Sequence, residues 1–126
     1  MSESPPHPLL PYLHETVGEG LRSLVSYDRT GATLHYLRAD VRESYTEEEL
    51  EAIVGDVRLE AVGKSYQEGL YEHGPLSCSV RCFERGVEIQ FVQTDTQGTV
   101  VAFERGVFSD VNSFVEACRE RLPAEV

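Results

Sequence analysis

Apolar residues in this 126-residue chain recur at two different spacings, and the points where the spacing changes limit the fold more than any single residue does. Leu10, Leu13, Val17, Leu21 and Leu24 follow near-helical spacing, which predicts a first helix over 11–21. Pro11 suits its first position, where a helix has no use for the missing N–H. Gly18 and Gly20 weaken its second half by about 1 kcal/mol each relative to alanine, and offer an early end. The spacing then drops to two. Runs at 22–27 and 32–39 flank Asp28-Arg29-Thr30-Gly31, a turn-forming segment, and predict a hairpin. Alternation puts Leu34 and Tyr36 on one face and His35 and Leu37 on the other, as in a strand covered on both sides.

Helical spacing returns with the best-marked start in the chain. Thr46-Glu47-Glu48-Glu49 reads as a capping box: the Thr46 hydroxyl accepts from the Glu49 amide and the Glu49 carboxylate reaches back. Tyr45 and Leu50 are placed for a hydrophobic staple, and three glutamates suit the positive end of the helix dipole. Leu50, Ile53, Val54 and Val57 make one apolar stripe, so a second helix is expected to about Arg58. Over 59–75, Leu59, Val62, Tyr66 and Leu70 extend the stripe but Gly63 and Gly69 interrupt it. A short second helical piece and then a loop are expected. Period two resumes at 76–84, 87–93 and 99–104, with turns at Gly86 and Gly98. Val87, Ile89 and Phe91 are expected inward, Glu88 and Gln90 outward. A last helix, capped by Ser109 or Asp110, carries Val111, Phe114, Val115, Cys118 and Leu122 and stops at Pro123. The fold class is therefore α+β, a five-stranded antiparallel sheet with helices in the order α-β-β-α-β-β-β-α. Residues 1–9 are expected as a mobile tail, 10–122 as one domain and 123–126 as the C-terminal end.

Charge narrows the setting. The chain carries 22 acidic and 11 basic side chains, a net −11, and Lys64 is its only lysine. Such an excess keeps a protein soluble where concentrated salt screens repulsion, and it suits the cytoplasm of a salt-accumulating halophile. Nucleic acid and anionic membranes both need a basic footprint, so neither is an expected partner. No apolar run reaches the roughly 20 residues of a membrane-spanning helix. Cys78 and Cys82 lie four apart on a strand, about 13 Å at ~3.3 Å per residue and beyond disulfide reach, and are expected as small buried residues.

No arrangement of residues spells out catalysis. The histidines His7, His14, His35 and His73 have no metal-ligand spacing, no glycine-rich phosphate loop follows a strand, and no nucleophile motif is present. No cofactor and no enzymatic activity are expected. Asp28 and Arg38 are expected to pair across the hairpin, and Arg38 with Asp40 is the candidate ligand-binding pair at the sheet end. The run at 76–84 has no internal proline or lysine to protect a free edge, which suits an edge strand open to pairing. A central place beside the first hairpin is the alternative.

With this order of elements the chain resembles the roadblock/LC7 family, of profilin-like fold, over roughly 20–122. The first hairpin, Ser26-Tyr27-Asp28-Arg29-Thr30-Gly31-Ala32-Thr33-Leu34, carries the resemblance. So do the three-strand meander at 80–103 and the helix start Asp110-Val111-Asn112-Ser113-Phe114. Tyr36-Leu37-Arg38-Ala39-Asp40-Val41 also resembles a small family of halophilic archaea. The roadblock resemblance implies a non-enzymatic module that homodimerises through its second helix and third strand and can present the joined sheet to a small GTPase. Ile53, Val54, Val57, Ser79, Val80 and Arg81 are then the interface candidates. The alternative is a PAS- or GAF-like sensor holding a small ligand between sheet and helices. A buried polar group lining an apolar cavity favours the sensor, and an unpaired third strand with apolar neighbours favours the dimer.

Overall fold

In the computed structural model, which describes residues 2–3 and 7–123, the chain begins with β1 (Ser2–Glu3), α1 (Leu9–Val17), β2 (Leu21–Tyr27) and β3 (Ala32–Leu37). Three helices follow: α2 (Ala39–Ser44), α3 (Glu47–Val62) and α4 (Lys64–Leu70). The chain ends with β4 (Cys78–Phe83), β5 (Gly86–Val92), β6 (Gly98–Phe103) and α5 (Ser109–Arg121). The class is α+β. Five antiparallel strands form an open sheet in the order β3-β2-β6-β5-β4, and β1 pairs in parallel along the outer side of β3. No helix among the described residues is long and apolar enough to cross a membrane.

Local chemistry sets most boundaries. The α1 helix starts at Leu9, two residues before Pro11, which sits in the first turn where no intrahelical N–H is needed. It ends at Val17 because Gly18 adopts a φ of 55°, a conformation that costs glycine little. The capping box is present in both halves: Glu49 N donates to Thr46 Oγ1 at 3.1 Å, and Thr46 N to Glu49 Oε1 at 2.8 Å. Where a helix and a short second helical piece were expected there are three helices, the unexpected one being α2. The second hairpin strand stops at Leu37, and Ala39–Ser44 turns helical. Gly63 ends α3, and α4 follows at once.

The sheet is covered on both faces. On one, Leu13 of α1 packs on Leu21, Leu24, Val101 and Phe103. On the other, Val57 and Ala61 of α3 pack on Tyr27, Val92 and Val100. Leu21, Leu24, Val57 and Val101 are almost wholly buried, each contributing roughly 1.5–3 kcal/mol relative to exposure.

Several expectations are corrected by this packing. Leu34 and Tyr36 do not share a face. The β2–β3 register steps from Leu24↔Tyr36 to Val25↔Leu34, leaving His35 as the extra residue of a β-bulge. Tyr36 therefore joins the α1 side while Leu34 turns toward α3. Gln90 does not face water: it is 3% exposed, and its Nε2 donates to Tyr27 Oη at 2.9 Å and to the Val57 carbonyl at 2.6 Å. Cys82 is exposed and Cys78 only partly buried, because the strand that carries them is an edge. The apolar stripe of α5 is largely uncovered as well, with Phe114 70% exposed, and no side chain caps that helix.

Candidate functional site

Arg38 and Asp40, the expected ligand-binding pair, lie at the end of the sheet where β3 gives way to α2. Arg38 Nε and Nη2 donate to the two Asp40 carboxylate oxygens at 2.6 and 2.9 Å. Its Nη1 donates to the Glu19 carbonyl at 2.7 Å, and Nη2 also bonds Glu104 at the end of β6. The guanidinium is thus committed to closing the sheet end, where it ties the turn after α1 to β3, α2 and β6. The bonds to Arg38 hold the carboxyls of Asp40 and Glu104 below the usual carboxylate range. The expected Asp28–Arg38 pair does not form. In a hairpin Asp28 sits at the turn and Arg38 at the open end, where its amide donates to the Arg22 carbonyl. Asp28 instead accepts from the Thr30 amide and hydroxyl and the Gly31 amide, at 2.8, 2.7 and 3.1 Å. Those bonds, Thr30's first, lower its pKa.

The six interface candidates divide between two elements. Ser79, Val80 and Arg81 lie on β4, which among the described residues pairs only with β5 and has its other side open. Val80 is 51% exposed, and Phe83 at the end of the strand is 52% exposed. Arg81 donates to Asp56 of α3 at 3.0 Å and to Glu88 of β5 at 3.2 Å, so strand edge and helix are held as one unit. On α3 the core takes Val57, Val54 is half-buried, and Ile53 is 36% exposed.

Two features escaped the sequence reading. Ser26 Oγ lies 2.7 Å from His35 Nε2, and the His35 ring meets His7 edge-on at 4.7 Å. Burial first, then His7, lowers the His35 pKa. Ser26 is mid-strand in β2 with pairing on both sides, so the neighbouring amides are spent on the ladders and none converges on its hydroxyl. The His7–His35 ring contact sets the segment before α1 against β3. The second feature is a cavity of about 80 Å³ between the sheet and the α2–α3 helices. Its floor is laid by short side chains, Ser23 and Ala102, which pair directly across β2 and β6. Neither was visible from spacing alone: the first depends on the bulged register of the hairpin, and the second needs residues from β2 and β6, far apart in sequence. Among the described residues no three His, Cys, Asp or Glu side chains are grouped to hold a metal ion.

No curated protein matches the chain. A family model does match, over residues 7–123, nearly the whole length of the chain. The chain therefore belongs to the family described as domain of unknown function DUF7522.

Proposed function

We propose that the protein is a non-enzymatic regulatory or protein-interaction module that works as a homodimer in a salt-rich cytoplasm. It is roadblock-like in pairing through β4, the third strand of its antiparallel sheet, and a small GTPase is the kind of partner the joined sheet would receive. The observation that supports this reading is the open β4 edge. An edge strand exposes a row of unpaired N–H and C=O groups, and β4 has no proline, lysine or bulge to blunt it. The opposite edge, at β3, is met by β1 instead. A two-fold axis beside Val80 would let two β4 strands satisfy each other's backbone groups in antiparallel fashion. Exposed Val80, Phe83 and Ile53 would add apolar area, and α3 travels with the edge through the Asp56–Arg81 bond.

Light scattering after size exclusion, in molar KCl and at about 50 μM protein, tests the proposal, because dimer populations follow mass action. The expected mass is twice the 14.1 kDa of the chain. Val80→Pro removes one edge donor and should give a folded monomer. A wild-type protein that is monomeric under those conditions overturns the reading.

A further inference from the structure

The cavity beneath α3 has the construction of a binding site. Its walls are largely aliphatic, with Val25, Leu34, Val54 and Val100 among them, and the polar residues Arg22, Ser23 and Glu88 line it as well. An apolar pocket with a few convergent polar groups is the usual form of a small-molecule site. The polar lining has bonding capacity left over. Among the described residues Ser23 Oγ has no hydrogen-bond partner. Among the described residues the Arg22 side chain bonds only Glu104, at 3.4 Å, and that carboxylate is bound more closely by Arg38. With that one long bond to a shared carboxylate, the Arg22 guanidinium keeps donors to spare. The hollow exists because Ser23 and Ala102 are short where the next row of the sheet carries Val25 and Val100.

We propose that this cavity binds a short-chain aliphatic monocarboxylate, its tail among Val25, Leu34, Val54 and Val100 and its carboxylate on Arg22 and Ser23. Size sets the chain length. An apolar cavity of about 150 Å³ holds benzene, so 80 Å³ takes a tail of only a few carbons. The carboxylate of Glu88, which also lines the cavity, is paired with Arg81 at 3.2 Å; its residual repulsion weighs on one ligand charge and doubly on two, which selects against dicarboxylates. The proposal does not rest on pairing through β4, although the cavity shares α3 with that surface.

The test is an NMR amide titration of the whole chain with butyrate, n-butanol and succinate at a constant ionic strength of about 0.1 M, where charge attraction is not fully screened. Butyrate should give saturable shifts in β2, β6 and α3, binding more tightly than butanol, while succinate gives none. Ala102→Leu, which fills the floor, should abolish butyrate binding. Arg22→Gln, which leaves the cavity open, should weaken butyrate about tenfold or more and leave butanol unchanged, the loss expected of one charge-assisted bond. Should Ala102→Leu fail to fold, the Arg22→Gln comparison decides alone. Absence of saturable butyrate shifts, butanol binding as tightly as butyrate, succinate binding as well as butyrate, or an Arg22→Gln variant that binds butyrate normally would each overturn the proposal.

Discussion

Gly98 opens β6 opposite Tyr27, and a methyl group there would lie 2.2 Å from the Tyr27 hydroxyl and 2.6 Å from the Phe91 carbonyl. The tyrosine ring is buried and bonded to Gln90, and the carbonyl is backbone, so neither can yield cheaply. Gly98→Ala is expected to destabilise the fold by about 1–3 kcal/mol, measured by urea denaturation. Adding Tyr27→Phe should not restore it, because the Phe91 carbonyl remains. Thr46→Ala should cost about 1 kcal/mol by removing one side of the capping box, and an unchanged denaturation midpoint would contradict that. These two sites differ in how they could be read from sequence. Thr46 carries its partner three residues away, so the box is written in the chain. Gln90 looked solvent-facing because its acceptors, Tyr27 and Val57, come from elements far along the sequence. A buried amide cannot be told from an exposed one until those acceptors are brought to it.

Elements were legible wherever spacing and caps agreed, and misread where tertiary contacts redirected a strand. The hairpin turns and the α3 start follow from local residues. The bulge at His35 does not, since it answers the need to send Leu34 to α3 and Tyr36 to α1 at once. An unprotected β4 edge could be suspected from composition, but the cavity could not, because Ser23 and Ala102 meet only across the sheet. The α1–sheet junction also gives a pH dependence. His35 titrates below its ordinary value of about 6.5, so the fold favours its neutral form. Its contribution is complete above that value and is lost as pH falls through the lower, folded-state pKa. Asp40, Glu104 and Glu68 have depressed pKa values, chiefly through their bonds to Arg38 or Lys64. Their contributions are lost at still lower pH. Melting temperature should therefore fall in two stages on acidification, and His35→Gln should remove the upper one. If that variant keeps the same drop just below neutrality, His35 is not its source.

At the scale of the whole molecule, charge and topology each have a consequence. Net −11 on a domain this size repels itself, and salt relieves the repulsion more than it weakens the few surface ion pairs. Melting temperature is expected to rise between dilute buffer and molar KCl, and a flat profile across that range would contradict it. Topology sets the order of events during synthesis. The middle of the sheet joins β2 to β6, which follows it only after three helices and three further strands. As a ribosome releases the chain, β2 and β3 emerge with a partner on one side only, and Leu21 and Leu24 have no second wall until Gly98–Phe103 leaves the exit tunnel. Helix α3 can form long before that, but the strands it covers are not yet joined. The nascent chain must therefore shield an apolar hairpin until β6 is out of the tunnel, and the sheet closes by long-range loop closure rather than by local hairpins.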